Sequence, residues 1–213
     1  QASYPIPLGN PRGLAYYNGR FIEADMNLGL LMSFDITNTF SDVYIAPSRY
    51  FSPGNSLWLP YISSHSLDQT NTAIRRILLF QHGVDDNAVE YFGSARYAAQ
   101  QAGRLDETLI VSLQLLDDGK FRSAPPTSLI YWTSDRFWGS LSAGATAPYP
   151  RSERFSAFQL LDDLLSKLTT NAFLFPNLEE VVVSGHSGGG QLANRYAAAS
   201  PFERTMLPQG RNI

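Results

Sequence analysis

The segment 181–190, Val-Val-Val-Ser-Gly-His-Ser-Gly-Gly-Gly, constrains the fold of this chain more than any other. Its three β-branched residues predict a buried strand, and the residues from Gln191 to Ala199 predict a helix directly after it. A serine between such a strand and helix lies on a sharp turn that exposes its hydroxyl. Gly185 and Gly189 stand where side chains would collide in that turn, so Ser187 is a candidate nucleophile. The alternative is a glycine-rich turn with an incidental serine.

Strand and helix patterns alternate before this segment. Arg76 to Phe80 is a compact apolar run, and Leu109 to Leu116 is another, so both predict buried strands. Between them, Asn87 and Glu90 have the spacing of a capping box for a helix that would run to about Gln101 and stop at Gly103. This alternation predicts an α/β protein with a parallel sheet.

A second helix is predicted before the serine segment. Ser152 can cap it, and its apolar positions at 155, 158, 161, 165 and 168 recur at helical spacing, whereas Asp162 and Asp163 fall on a solvated face. Residues 121–150, rich in Pro, Ser, Gly and aromatic residues, form a long excursion that could serve as a lid or pocket wall.

The first third of the chain carries weaker signals. A hairpin is predicted between Leu14 and Ile36, because Asn18-Gly19 favours a tight turn. Residues 42–46 predict a short strand, whereas the segment up to Pro11 is expected to be irregular and Ser52 to Ser66 is expected to be loop. No linker divides the chain, so residues 1–213 are expected to form a single domain.

Taken with the strand before it and the helix after it, the Gly-x-Ser-x-Gly motif at 185–189 resembles the nucleophile elbow of the α/β-hydrolase superfamily. The resemblance covers roughly residues 14–200. It implies a mostly parallel sheet flanked by helices, with the elbow strand beside the strand that precedes His82. It also implies that the fold is incomplete in this chain, because its C-terminal strands would be missing.

The same resemblance suggests an oxyanion hole. The backbone N–H of Gly188, directly after the nucleophile, would be one donor. The segment His82-Gly83-Val84 resembles the His-Gly-x loop of the superfamily, so the N–H of Val84 would be the second, with Gly83 letting the backbone approach. The alternative for His82-Gly83 is an ordinary turn at the end of a strand.

The histidine and acid of a catalytic triad are missing after Ser187. The superfamily has the order serine, acid, histidine, but the 26 residues after Ser187 contain no histidine and only Glu203 as an acid. The valines at 181–183 would also be left as an open apolar edge. We therefore expect a second polypeptide, the C-terminal half of the same precursor after proteolytic processing, to complete a heterodimer. The upstream His186 and His65 are weaker candidates for the base.

The aromatic residues Trp132, Phe137 and Trp138 are candidates for a substrate pocket, and equally for a satellite core that pins the excursion. Asp85 and Asp86 could repel anionic substrates, but residues at such positions more often cap the first turn of a helix. The substrate would then be a small ester that is apolar in part.

Composition excludes several classes of partner and site. The net charge is −3 without a basic run, which argues against nucleic acid, and no apolar stretch approaches the ~20 residues of a membrane span. The chain has no cysteine, no cofactor motif and no metal-ligand spacing. Arginines outnumber lysines by 14 to 2, and the chain starts at Gln1, a pattern that fits a secreted protein.

These observations predict a serine hydrolase that forms an acyl-enzyme at Ser187, on an ester or less readily an amide. The alternative is a non-catalytic hydrolase-like binding module, or an inactive truncated fragment that retains the turn but not the triad.

Overall fold

The computed structural model describes residues 12–17, 20–25, 30–35, 49–53, 56–200 and 202. The first three strands, β1 (Arg12–Tyr17), β2 (Arg20–Asp25) and β3 (Leu30–Asp35), form an antiparallel sheet. Strand β1 pairs with β2 so that Tyr17 lies opposite Arg20, which confirms the predicted hairpin. The predicted strand at 42–46 and the opening segment up to Pro11 lie outside the described residues.

The other five strands form a second sheet. They are β4 (Arg49–Phe51), β5 (Leu59–Ser63), β6 (Arg76–Gln81), β7 (Thr108–Leu113) and β8 (Glu180–Gly185). Their order across the sheet is β4-β5-β7-β6-β8. Strands β7, β6 and β8 are parallel, whereas β5 is antiparallel to β7 and β4 is antiparallel to β5. The fold is therefore mixed α/β, as predicted.

Three helices connect or follow the parallel strands, because parallel neighbours need a crossover connection. Helix α1 (Ala88–Gln101) lies between β6 and β7, α2 (Ala157–Thr170) lies between β7 and β8, and α3 (Gly188–Ala199) follows β8. The strand before Ser187 pairs with the strand before His82 over six residue pairs, from Arg76–Glu180 to Gln81–Gly185. This pairing is the one that the sequence resemblance implied.

Two predicted boundaries in this sheet were wrong. The segment Ser52 to Ser66 is not all loop, because Leu59–Ser63 forms β5 between β4 and β7. A proline at position 60 conceals the strand pattern, and pairing with β7 provides the stabilisation. Strand β7 ends at Leu113 rather than Leu116: the Gln114 N–H still donates to the Pro60 carbonyl of β5, but the Leu115 N–H donates to the His82 ring instead.

The helix starts also differ in detail from the predictions. Asn87 does precede α1, and Gly103 follows it with a φ of +66°, but the predicted capping box does not form. Instead the Asn87 side-chain amide donates to the Glu90 carboxylate at 2.7 Å. Helix α2 is capped by Ser156, whose hydroxyl accepts from the Gln159 N–H at 3.0 Å, and not by Ser152.

The apolar stripe predicted for α2 is confirmed in part, and one acidic residue does not lie on a solvated face. Of the predicted positions, Leu161, Leu165 and Leu168 are buried in the helix, whereas Phe158 is half-buried and Phe155 precedes the helix. Asp162 accepts hydrogen bonds from the Tyr196 hydroxyl at 2.6 Å and the Ser200 hydroxyl at 2.7 Å. Burial, followed by the bond to Asp162, raises the pKa of Tyr196, so this group remains a donor that ties α3 to α2.

The main core lies between the sheet and helices α2 and α3. Its fully buried members include Ile77, Leu109 and Val181 from the three parallel strands. A smaller cluster, formed by Leu116, Leu129, Tyr131 and Ala143, belongs to the excursion between β7 and α2. The excursion is therefore held by a satellite core of its own.

The position of the α2 cap can be tested by mutation. We expect Ser156→Ala to lower the free energy of unfolding by about 1 kcal/mol, because it removes the acceptor for the Gln159 N–H. Ser152→Ala, at an exposed position four residues earlier, should change it by less than about 0.5 kcal/mol. Urea denaturation of both variants measures the difference, and equal losses would contradict this cap.

Candidate active site

Ser187 lies on a sharp turn between β8 and α3. The strand ends at Gly185 and the helix begins at Gly188, so only His186 and Ser187 connect them. Ser187 has φ +54° and ψ −122°, a backbone conformation that residues other than glycine rarely adopt. Its side chain is exposed. Strain of this kind concentrates at functional sites, where the surrounding structure maintains it.

The flanking glycines are required because three backbone segments meet at this turn. A Cβ at Gly189 would lie 2.1 Å from the carbonyl oxygen of Gln81, and a Cβ at Gly185 would lie 2.5 Å from the carbonyl carbon of Gly189. Both distances are far below van der Waals contact. The end of β6 and the start of α3 can therefore approach this closely only without side chains at 185 and 189.

The loop after β6 lies directly beside the nucleophile candidate. A Cβ at Gly83 would lie 3.3 Å from the Cβ of Ser187 and 3.6 Å from its Oγ. Val84, the next residue, is 58% exposed. Within the described part of the chain, the N–H groups of Val84 and Gly188 donate to no acceptor. These are the two groups that the sequence predicted as oxyanion donors, and neither is committed to another acceptor among these residues.

His82 anchors the loop after β6 through two hydrogen bonds of its ring. Its ring is fully buried, Nε2 accepts from the Leu115 N–H at 2.9 Å, and Nδ1 therefore carries the proton and donates to the Gly83 carbonyl at 2.6 Å. Burial lowers the pKa of His82 to about 3, so the ring is neutral. His82 is thus a fixed connection between the β6 loop and the end of β7 rather than a proton acceptor for Ser187.

Asp86 does not cap α1 as the sequence predicted. Its buried carboxylate pairs with Arg136 and accepts from the Asp117 N–H at 3.0 Å. Burial raises the pKa of Asp86 to about 6, against the opposing effect of Arg136. Asp86 also has a positive φ of +57°. Asp85, in contrast, is exposed.

Tyr91 is a site residue that sequence reasoning missed. Its hydroxyl lies 3.0 Å from His186 Nδ1, the two rings stack with centroids 6.0 Å apart, and a Cβ at Gly83 would be 3.3 Å from the same hydroxyl. Burial, with Asp85 and Glu90 nearby, raises its pKa, so the phenol stays protonated. The only sequence signal was an aromatic residue on the first turn of α1.

None of the described side chains is hydrogen-bonded to Ser187 as a general base would be. The Oγ has no hydrogen-bond partner among them. His186 is engaged by Tyr91, and His65 lies in a loop where its Nδ1 is 3.0 Å from the Ser64 hydroxyl. Among the same residues there is no group of three potential metal ligands, and no helix is long and apolar enough to cross a membrane.

The three aromatic pocket candidates lie in different environments. Trp132 is fully buried in the main core, and its indole N–H donates to the Ser140 carbonyl, so it lines no opening. Phe137 is also buried. Trp138 is 59% exposed and stacks against the Arg195 guanidinium, 4.2 Å from its ring centroid. Trp132 and Phe137 thus belong to the main core rather than to the satellite core, and only Trp138 among the three is exposed.

One side of the sheet ends at β8. Its other edge has no strand partner within the described residues. A groove of about 280 Å³ runs along this edge, lined mainly by apolar residues: Val181, Val182, Val183, Ala193, Tyr196, Ala197, Ser200 and Phe202.

Comparison of the chain with models of known families, with characterised proteins and with solved structures gave no match. The interpretation of the site therefore depends on its own geometry.

The close approach at the turn predicts an unusually costly glycine substitution. We expect Gly189→Ala to lower the free energy of unfolding by about 3 kcal/mol, because the new methyl group would overlap the Gln81 carbonyl. Gly103→Ala is the control, since its Cβ would meet nothing within 4 Å and only the positive φ costs about 1 kcal/mol. Equal losses in urea denaturation would contradict the packing of the turn.

The neutral state of His82 predicts a pH dependence of stability. The unfolded chain binds a proton at this residue below pH 6.5, whereas the folded chain binds it only near pH 3. The folded state should therefore lose stability as the pH falls from 6.5 towards 3. Comparing wild type with His82→Gln by urea denaturation between pH 7 and about 4 should show a shallower decline in the variant. Parallel declines would indicate that His82 is protonated in the folded protein.

Proposed function

We propose that the protein is a serine hydrolase of the α/β-hydrolase type that forms an acyl-enzyme at Ser187. The observation that carries this proposal is the exposed serine at φ +54° between β8 and α3, with the Gly83 backbone against its hydroxyl. The strained backbone at Ser187 and the glycines on both sides of it serve to expose a hydroxyl group, and this gives no evident gain in stability.

The chemistry would be acyl transfer. Ser187 Oγ attacks the carbonyl carbon of an ester and loses its proton to a general base, which gives a tetrahedral oxyanion. Collapse of this intermediate breaks the bond to the alkoxy group, which leaves as the alcohol after taking the proton from the base. Water then attacks the acyl-enzyme by the same route and releases the carboxylic acid. The exposed Val84 and Trp138 favour a small ester that is apolar in part.

The oxyanion would bind to two backbone donors. The N–H of Gly188 lies at the N-terminus of α3, where the helix dipole also favours negative charge. The N–H of Val84, beyond Gly83, would provide the second bond. Loss of one such donor typically costs about 3 kcal/mol of transition-state stabilisation.

The general base and its acid would come from a segment outside the described residues. We infer that a companion polypeptide, the C-terminal part of the same precursor, adds a strand to the open edge of β8. The unpaired edge and the apolar groove beside it support this, because a bare valine-rich edge is an aggregation hazard that folded proteins avoid. Ser187 Oγ also has no partner among the described residues.

A second candidate is a hydrolase-like binding module without catalysis. The same unpartnered Oγ favours it, since an isolated serine hydroxyl is a weak nucleophile.

A fluorophosphonate probe separates the two candidates, because it labels only an activated serine. We expect the native protein, purified with any associated polypeptide, to be labelled at one site, and Ser187→Ala to abolish the labelling. Ser184→Ala, three residues earlier in β8, is the matched control and should label normally.

Mass analysis of the labelled species then tests the companion. A second polypeptide that co-purifies with the labelled chain is expected. A lone 23.6 kDa species that is labelled at Ser187 would contradict the companion polypeptide. The assignment of Ser187 as the nucleophile would still stand. Native protein that resists the probe would favour the binding module.

A further inference from the structure

A short 3-10 turn in the excursion, Arg136–Trp138, contacts both residues, Val84 and Gly188, whose N–H groups would form the proposed oxyanion hole. It lies 52 residues from Val84 in sequence, yet the Arg136 guanidinium donates to the Val84 carbonyl at 3.2 Å. The next residue, Phe137, packs on Gly188: a Cβ built there would be 2.7 Å from the Phe137 ring. Two adjacent residues thus contact the two segments that must bind one oxygen atom.

The guanidinium of Arg136 is itself held from two sides. It pairs with Asp86, whose side chain is fully buried, and Nη1 donates to the Asp117 carboxylate at 2.7 Å. Only 6% of the arginine side chain is exposed. Charge-assisted bonds of this kind fix direction as well as distance. The Val84 carbonyl is therefore held by a group that cannot easily move.

The ring of Phe137 is fixed in the same way. It lies under the Arg136 guanidinium, whose Cζ is 4.7 Å from the ring centroid, and it meets the His82 ring edge-on at 5.9 Å. The ring therefore fills the space between the β6 loop and the start of α3.

Arg136 has a feature that stability alone does not explain. Its Nε is buried without a hydrogen-bond partner in the described part of the chain, which costs free energy. The two terminal nitrogens of the guanidinium donate hydrogen bonds to the Val84 carbonyl and to the carboxylates of Asp86 and Asp117. Nε donates none.

We propose that Arg136 and Phe137 are positioning residues: Arg136 fixes Val84 through its carbonyl, Phe137 packs on Gly188, and together they keep the N–H groups of these two residues directed at one oxyanion. This inference rests on the proposed function and extends it to the excursion, which acts as a brace rather than as a lid. A displacement of about 1 Å at such a site can reduce the rate about 100-fold, so a brace on both donors affects catalysis more than binding.

The test compares two buried arginines in the native protein, one in the excursion and one directly after it, with p-nitrophenyl acetate as substrate. Arg136→Lys leaves a single ammonium group that cannot span the Val84 carbonyl, Asp86 and Asp117. We expect kcat to fall about 100-fold with little change in KM, because the interaction is realised in the transition state. Arg151→Lys is the matched control: Arg151 is equally buried but bonds only carbonyls within the excursion, such as that of Leu129.

Thermal denaturation of both variants separates positioning from folding. A fall in kcat for Arg136→Lys alone, at a melting temperature no lower than that of Arg151→Lys, supports the brace. Equal kcat values in the two variants overturn it. If Arg136→Lys does not fold, Phe137→Leu decides: kcat reduced at least about tenfold relative to Arg151→Lys supports the brace, and an unchanged kcat overturns it.

The failure of the proposed function gives a different result. Wild-type protein that neither hydrolyses the ester nor reacts with the fluorophosphonate overturns both proposals. Wild-type protein that reacts, with Arg136→Lys and Phe137→Leu reacting at the same rate, overturns only the brace.

Discussion

The site depends on the parallel pairing of β6 with β8. This pairing aligns Gln81 with Gly185, so the chain leaves both strands at the same edge of the sheet. The first helical residues after β8 then lie against the Gln81 carbonyl, a contact that only glycine at position 189 permits. The loop at Gly83 is brought against Ser187 by the same register. A slip of one residue would turn these groups to opposite faces of the sheet.

A buried polar layer beneath the site converts this alignment into a fixed geometry. Neutral His82 joins the Gly83 carbonyl to the end of β7, and Asp86 and Arg136 join the same loop to the excursion. Such groups are expensive to bury and are stable only when each is paired. These buried polar groups, with the desolvation free energy that they cost, lie close to the one exposed serine. The main apolar core lies between the sheet and helices α2 and α3.

The open edge of β8 and the missing base belong together in the proposed function. A strand added at that edge would cover the valines at 181–183 and bring further chain close to Ser187. The two observations are independent, since one concerns backbone hydrogen bonding and the other concerns side-chain chemistry. The excursion, by contrast, is held within this chain by the cluster around Tyr131 and by Trp132 and Phe137 in the main core.

The sequence by itself determined the strand, turn and helix around Ser187, because a β-branched run and closely spaced glycines act through local sterics. It also indicated that β8 and the His82 loop are neighbours. It could not show that Leu59–Ser63 forms a strand, that Tyr91 reaches His186, or that Arg136 binds Asp86 across 50 residues. These features have no local sequence signal, because the residues around a charged or aromatic side chain do not show whether it is solvated or buried. Only the tertiary structure brings up the partner that stabilises it when it is buried.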